Sequence, residues 1–224
     1  MRNSLRRSLS ISVGAVALAA AGAVATAQPA NIGSTIVVVR TVTGKLETVV
    51  RQLVLHDGVQ QNELISTGPD AASEIEFVDG TKLRLGARAQ VVLDKFVYNP
   101  DPAKGAFLVT VTSGVFRFTT GNMDHQSYSI TTPSGTLGVR GTRFTCLVDP
   151  NDTTCHVEDG TIVYVSAGGT GVYNAGETFG GNNNGLNGQT ANMDNDIDNN
   201  GGGGGDNGGN NNNSGNNNNG NDVR

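Results

Sequence analysis

The central part of the chain alternates between apolar and polar residues in short runs. In residues 74–77 and 82–85 every second residue is apolar, which is the period of a β-strand with one buried face. The alternation predicts that the apolar positions point into a core and the charged positions point outward. Residues 28–179 hold no helical period over about ten residues, so the pattern indicates one all-β domain. The predicted core positions are Ile75, Phe77, Leu83 and Leu85.

Segments rich in Val, Ile, Thr and Phe predict the individual strands, because Gly, Asp, Asn and Pro separate them. Gly-Thr pairs begin several of these segments at irregular intervals, which does not suit a simple solenoid repeat. The predicted strands are residues 36–42, 46–55, 74–78, 82–85, 90–98, 107–112, 115–119, 128–131, 143–148, 155–158 and 162–165.

The composition changes abruptly at residue 180, where glycine and asparagine replace nearly all apolar residues up to residue 224. Such a segment has too little apolar surface to offset the entropy cost of ordering. We therefore predict that residues 180–224 form a disordered, low-complexity tail. A tether, a solubility element and a segment that self-associates through asparagine ladders all fit this composition.

Residues 1–27 have the pattern of a signal peptide. Three arginines precede an apolar run at residues 9–25, and a small-x-small pattern ends at Ala27. Cleavage there predicts an exported protein, periplasmic or extracellular, without membrane insertion. The alternative is a retained membrane anchor, since the run approaches the ~18 to 20 apolar residues that span a bilayer. Its alanine-rich content, with serine and glycine, favours cleavage.

Charge narrows the choice of partners. Removing the three leader arginines lowers the formal net charge of −5 by three, to −8. An acidic chain without a basic stripe does not suit nucleic acid or an anionic membrane surface. The chain also has no tryptophan and an aromatic content of 5%, which leaves few stacking surfaces for a sugar.

Two cysteines, Cys146 and Cys155, flank a strong turn at residues 149–152. If Asp149 pairs with Asp152, Cys146 and Cys155 lie directly opposite each other on two antiparallel strands. Cα atoms in that position are ~4.5 to 5.5 Å apart, within the range that a disulfide accepts. Export favours oxidation, so we predict a Cys146–Cys155 disulfide. Two free thiols are the alternative.

Candidate catalytic and metal-binding groups are sparse. His56, His125 and His156 lie beside turns or on strand flanks without metal-ligand spacing, so surface roles are predicted, with no metal or cofactor. Glu74 with Glu76, and the Glu158-Asp159 pair, are the carboxylates that glycoside hydrolysis would need. A solvated strand face and turn chemistry explain them better, because no aromatic walls accompany them.

Residues 194–201 begin like a calcium-binding EF-hand loop, with Asp at alternate positions. The sixth position is Asn199 where glycine is needed, and the twelfth is Gly205 where glutamate is needed. A solvated acidic cluster is therefore predicted, with weak calcium binding as the alternative.

Residues 131–144 combine a Thr-Pro pair with Gly-Val-Arg-Gly-Thr and an aromatic residue, and this corner resembles the signature of the FecR-domain family. The Asp-Gly hairpin at residues 79–80, the Gly-x-x-Arg strand that ends at Arg117 and the predicted closing hairpin at residues 157–165 resemble further family segments. The matching positions are Thr132, Pro133, Gly138, Val139, Arg140, Gly141, Thr142, Phe144, Asp79, Gly80, Gly114, Arg117 and Gly160.

The resemblance implies an all-β sandwich or roll of short antiparallel strands with solenoid-like coils, and we favour two packed sheets over a parallel β-helix. In the family's regulator the periplasmic domain follows a membrane helix and a cytoplasmic segment that controls a sigma factor. Only about ten residues precede the apolar run here, so that role is not expected to carry over.

Arg140 lies inside the family's glycine-rich corner. A guanidinium there suits recognition of an anionic ligand or a partner carboxylate. We instead predict that it braces its own corner through nearby carbonyls or through Glu158 or Asp159.

The sequence thus predicts an exported, non-enzymatic FecR-type domain that acts as a binding, sensing or envelope-scaffold module with an unknown envelope partner or ligand. Two alternatives remain. The first is a membrane-anchored signalling component, if the leader is not cleaved. The second is an enzyme that acts on the cell wall or on polysaccharide.

Overall fold

The computed structural model describes residues 30–99, 101, 104–124, 126–181 and 183–201. The predicted signal peptide, His125 and residues 202–224 lie outside the described residues. Within the described part of the chain, strands and one helix follow in this order: β1 (Asn31–Val39), β2 (Val42–Leu46), β3 (Val49–Gln52), β4 (Gly58–Gln60), β5 (Leu64–Thr67), β6 (Ala72–Phe77), β7 (Lys82–Leu85), β8 (Gln90–Val97), β9 (Ala106–Thr119), β10 (Tyr128–Thr132), β11 (Gly135–Asp149), β12 (Asp152–Ser166), β13 (Gly169–Asn174), β14 (Thr178–Phe179) and α1 (Asn183–Gly201).

All of these strands belong to one continuous sheet, and three long strands run through both of its halves. The first parts of β9 and β11 and the last part of β12 join β2, β3, β5, β8, β10 and β13 in half A. The remaining parts join β1, β4, β6, β7 and β14 in half B. Pairing is antiparallel except between β9 and β10.

Glycines lie where the three long strands pass from one half to the other. Gly114, Gly141 and Gly160 have φ values of 90°, 59° and 80°, which non-glycine residues rarely adopt. A Cβ at Gly160 would overlap the carbonyl of Gly141, so β11 and β12 approach closely where they bend. The bends fold the sheet over and bring the two halves face to face.

Aromatic rings fill the space between the halves. Phe107 of half A packs against Phe77 and Phe118 of half B, with ring centroids 4.8 Å and 5.3 Å apart. Edge-to-face pairs of this kind contribute about 0.5 to 1.5 kcal/mol beyond the burial of their surface. The all-β prediction of packed, mainly antiparallel strands is therefore confirmed.

The alternation in β6 and β7 correctly predicts the core positions, since Ile75, Phe77, Leu83 and Leu85 are 0 to 3% exposed. The prediction that the charged positions of these strands point into solvent fails at Glu74, which is only 5% exposed. The prediction that Glu74 lies on a solvated face is wrong, because α1 and a neighbouring arginine cover it.

Several predicted strand boundaries need correction. Residues 46–55 hold the end of β2, the turn after it and β3 rather than one strand, and residues 107–112 and 115–119 are parts of the single strand β9. The sequence also missed β4, β5, β13 and β14, most of β2 and the first half of β11. Residues 157–165 do not form a hairpin, because β12 bends at Gly160 and continues, so Glu158 and Asp159 are not turn residues.

The β11–β12 hairpin has the register that the turn at residues 149–152 predicts. Asp149 pairs with Asp152, and Cys146 lies opposite Cys155 with the Cα atoms 4.1 Å apart. The two residues form a disulfide, which confirms the prediction, and both are 0% exposed.

Replacing both cysteines with alanine is expected to lower the free energy of unfolding by about 2 to 3 kcal/mol, because the bond restricts a short loop in the unfolded chain. Urea unfolding of the double variant and the parent measures this difference. Dithiothreitol should reproduce the loss in the parent and have no effect on the variant. Equal unfolding midpoints for the oxidised parent and the variant would contradict the prediction.

The C-terminal segment is partly ordered. Residues 183–201 form α1, so the prediction of disorder is wrong for this stretch. Leu186, Met193 and Ile197 are buried and belong to one apolar cluster with residues of half B. Their spacing of seven and four residues places them on one helix face. The other members of the cluster are Val37, Val39, Ala72, Val115 and Leu147.

In the described residues, no helix has the length and apolar character needed to cross a membrane.

Candidate functional site

The outer face of half B carries polar and apolar residues in ordered rows, because strand register aligns equivalent positions across the sheet. One row is apolar and contains Val39, Ala72, Val115 and Leu147. The next row is polar, and we call it the arginine row. It consists, from β6 to β14, of Glu74, Arg84, Arg117, Thr145, His156 and Thr178.

Arg117 lies at the centre of the arginine row and binds residues of three elements. Its Nε donates to Thr145 Oγ1 and to Glu158 Oε1, both at 2.9 Å. Its two terminal nitrogens donate to the two carboxylate oxygens of Asp194 at 2.6 Å and 3.0 Å. A guanidinium fork matches a carboxylate in this bidentate arrangement, so Arg117 fixes α1 on the sheet.

Arg84 lies directly opposite Arg117 and extends the same network. Its Nε donates to Glu74 Oε2 at 2.7 Å, and its Nη1 lies 3.4 Å from carboxylate oxygens of Asp194 and Asp198. Burial acts to lower the pKa of Arg84, but the three carboxylates outweigh it and raise the pKa above its ordinary value. Arg84 therefore stays positively charged and neutralises the buried Glu74.

Arg143 completes the network on its outer side. Its Nε donates to Glu158 Oε2 at 2.9 Å, while Glu158 Oε1 also accepts from Thr145 Oγ1 at 2.8 Å. Glu158 is thus held by Arg117, Arg143 and Thr145 together. Glu74 and Glu158 are therefore ion-pair partners of arginines rather than solvated carboxylates.

Two grooves lie beside α1. The larger groove, about 730 Å³, runs between α1 and half B over a floor that includes Val115, Leu147 and Val148, and its rim includes Arg88. The smaller groove, about 310 Å³, is lined by Glu74, Lys82, Arg84, Arg117, Thr119, Arg143 and Glu158. Both grooves are lined mainly by polar and charged side chains, and residues of α1 line only the larger one.

Arg140 does not belong to this network. Its side chain is exposed, and the described residues provide its guanidinium with no hydrogen bond or ion pair. The prediction that Arg140 braces its corner through Glu158 or Asp159 is therefore wrong. Arg117, on the neighbouring strand, and Arg143 bind Glu158 instead.

The other motif residues hold the sheet together. Val139, Phe144 and Thr142 are buried, and Thr142 Oγ1 donates to the carbonyl of Thr161 at 3.1 Å. Thr132 Oγ1 donates to the carbonyl of Gly135 at 3.0 Å across the turn that contains Pro133. At Gly138 a Cβ would meet Val163 only at ordinary contact distance, so steric crowding does not explain this glycine.

Asp79 is more than a turn residue, because its carboxylate is buried. One oxygen accepts from Thr81 Oγ1 at 2.6 Å and from the Tyr128 hydroxyl at 2.9 Å, and the other accepts from Thr81 N at 3.0 Å. The Tyr128 hydroxyl also accepts from the backbone N–H groups of Gly121 and Met123. The β6–β7 hairpin and the chain before β10 are joined through this one carboxylate.

Burial raises the pKa of Tyr128, and the charge of Asp79 adds to the effect. The folded state therefore retains the phenolic proton to higher pH than the unfolded state, whose tyrosine pKa is about 10. The stability from the neutral hydroxyl is present below that pH and is lost as the pH rises through the folded-state pKa. We expect the stability difference between the parent and Tyr128→Phe to shrink between pH 8 and about pH 11. Urea unfolding across that range tests this, and a constant difference would contradict it.

The remaining candidates from the sequence are the histidines and the acidic residues 194–201. His56 is exposed, and His156 Nδ1 lies 2.8 Å from Thr178 Oγ1. Residues 194–201 are helical, so the proposed loop geometry for calcium does not exist there. In the described ranges, no group of three or more His, Cys, Asp or Glu side chains is arranged to hold a metal ion.

Residues 63–163 match the family model described as FecR protein. The fold is similar to two crystal structures, at 1.65 Å and 2.50 Å resolution, of a candidate anti-sigma factor from Parabacteroides distasonis. Both are 16% identical to this chain, with TM-scores of 0.43 and 0.42, and the match covers 53% of this chain and 58% of the other. The chain thus spans little more than half the length of that relative. No curated protein sequence matches it.

Proposed function

Because residues 63–163 of this chain are a FecR domain, we propose that the protein is a non-enzymatic binding module that regulates or senses a partner in the bacterial envelope. The observation that carries the proposal is the outer face of half B. There Arg84, Arg117 and an apolar row hold a helix by ion pairs and buried side chains. A face that holds one helix in this way has the chemistry of a protein-binding surface.

Export is part of the proposal. FecR domains are periplasmic in envelope regulators, and a buried disulfide suits an oxidising compartment. The exported chain should begin at Gln28 if the leader is cleaved after Ala27. N-terminal sequencing of the periplasmic or secreted protein tests this, and a chain that still carries its leader would favour the anchored alternative.

The enzyme alternative has less support. General acid–base catalysis needs a carboxyl group that is free to exchange a proton with substrate. In the charged groove Glu74 accepts from Arg84, and Glu158 accepts from Arg117 and Arg143. The residues that line this groove include no aromatic side chain that would stack on a sugar. This arrangement suits the binding of a partner better than catalysis on a substrate.

Site-specific photo-cross-linking in the producing cell tests the proposal. A photoreactive residue at Gln189, in the larger groove, or at the exposed Lys82, in the smaller one, should give the same discrete adduct. The control position is Val50, which is 60% exposed on β3 of half A. Equal labelling from all three positions, or no adduct from the two grooves, would contradict a binding role for this face.

A further inference from the structure

We propose that the face of half B under α1 is a docking site for an acidic amphipathic helix of a partner protein, and that α1 occupies this site as an internal competitor. The inference rests on the proposed binding function and names the surface and the kind of partner. The partner helix would present apolar side chains in the places of Leu186, Met193 and Ile197. An acid in the place of Asp194 would bind Arg84 and Arg117.

The sequence of α1 is poorly suited to forming a helix. Its 19 residues include seven asparagines, three glycines and three aspartates. Glycine, asparagine and aspartate are weak helix formers, and an isolated helix of this length is marginal even with good ones. The helix therefore depends on the face beneath it. A partner helix with ordinary helix propensity would make the same contacts without the free-energy cost of ordering weak helix formers.

α1 also fits the face incompletely. The larger groove beside it leaves about 730 Å³ over Val115, Leu147 and Val148. Thr190 Oγ1 is buried on α1 without a hydrogen-bond partner among the described residues. A helix with larger side chains along this edge would fill more of this groove.

The charge of the face selects the partner. Arg84 and Arg117 lie directly opposite each other, and each also pairs with one carboxylate of the sheet, Glu74 and Glu158 respectively. Asp194 bridges both guanidinium groups. Asp70 and Asp149 accompany Arg88 in the lining of the larger groove, so the excess of positive charge lies in the smaller groove, where Lys82, Arg84, Arg117 and Arg143 outnumber Glu74 and Glu158. An acidic helix satisfies these charges, whereas a basic helix would be repelled.

Gly86 provides the space that a docked helix needs on this face. A Cβ there would overlap Val115 and approach the side chain of Met193 at 3.2 Å. Glycine thus gives the helix room to lie close to the sheet at the point where its central apolar residue enters. Gly86→Ala should weaken any helix that docks here, from the same chain or from a partner.

The test uses a fluorescent synthetic peptide with the α1 sequence in which the exposed Asn187, Gly188 and Asn195 are alanine. Anisotropy measures its binding to the full chain, to an Asp194→Lys chain whose own helix is weakened, and to an Asn195→Lys control. An internal competitor reduces the apparent affinity by the fraction of open sites. We therefore expect binding at least about tenfold tighter to Asp194→Lys than to the other two. A peptide with lysine in place of Asp194 should bind none of them.

Gly188→Ala in the full chain provides the opposite change. A Cβ at Gly188 meets nothing within 4 Å, so alanine strengthens α1 without new contacts. It should weaken peptide binding roughly two- to fivefold. This variant keeps the inference testable if Asp194→Lys fails to fold.

Equal peptide affinity for all chains, or no binding to any, would show that α1 is a fixed part of the domain and would overturn the proposal. Dimers that exchange α1, detected by light scattering, would replace the partner protein with a second copy of this chain. If the peptide result is negative while a cross-linked partner is still found in cells, the proposed function stands and only this docking site is lost.

Discussion

Replacing Arg117 with methionine is expected to lower the free energy of unfolding by about 2 to 4 kcal/mol and to release α1 from the sheet. Methionine fills the volume of the arginine stem but leaves Asp194 without its bidentate partner and removes one of the two arginines that bind Glu158. The side chains of Asp194 and Glu158 are only 29% and 23% exposed, so solvent cannot fully replace the lost cation. Urea unfolding measures the stability, and hydrogen exchange of residues 183–201 measures the release.

Arg140→Met is the matched control, because Arg140 belongs to the same family signature but has an exposed side chain. Its unfolding free energy should stay within about 0.5 kcal/mol of the parent, as for other exposed substitutions. A loss at Arg140 as large as that at Arg117 would show that the exposed arginine braces the fold after all. An unchanged exchange rate of α1 in Arg117→Met would show that the bidentate pair does not hold the helix.

Asp79→Ala is expected to cost about 3 to 5 kcal/mol, because three hydrogen bonds to one buried carboxylate are lost together. The hydroxyls of Thr81 and Tyr128 lie 3.4 Å apart, so one of them would then have no acceptor in a space from which water is largely excluded. Thermal and urea unfolding of the variant measure the loss.

Asp57 provides a control for Asp79, since its carboxylate also caps a turn by accepting from a backbone N–H, that of Val54, at 2.8 Å. Its side chain is 33% exposed, and water can replace the bond in Asp57→Ala. We expect a loss of about 1 kcal/mol there. Similar losses at the two positions would mean that Asp79 is only a turn residue, as the sequence suggested.

Local patterns in the sequence predict those features that depend on a few neighbouring residues. The turn at residues 149–152 fixes the register of its hairpin, and the register alone places Cys146 opposite Cys155. The alternation in β6 and β7 predicts the buried face because both strands are paired on a single core. These features need no knowledge of distant parts of the chain.

The helix could not be predicted from composition, because its stability comes from the surface that it covers. Two signals of it were nevertheless present. Leu186, Met193 and Ile197 keep helical spacing within the Asn/Gly-rich segment. Val37–Val39 and Cys146–Val148 are apolar on consecutive positions, which is typical of strands covered on both faces. Glu74 is buried for the same reason, because α1 covers its strand.

The choice between Arg140 and its neighbours also depends on long-range geometry. The register of β11 against β12 shifts between Arg140 and Arg143, at the bend around Gly141. A bulge of this kind changes which side of the sheet a residue faces. Counting alternate positions along β11 therefore cannot assign Arg140 and Arg143 to faces, although the family signature itself was recognised correctly.

The three strands that run through both halves limit how this domain could change shape. Opening the sheet at Gly114, Gly141 and Gly160 would require β9, β11 and β12 to pivot together, and the phenylalanines between the halves would have to separate. Within the part of the chain that the structure describes, these three connections leave no single hinge of the kind that many sensors use for closure. α1 can leave and return without breaking a backbone bond of the sheet. If the protein reports the state of its partner, exchange of α1 on the sheet provides the signal, while the folded sheet of bent strands stays in place as its platform.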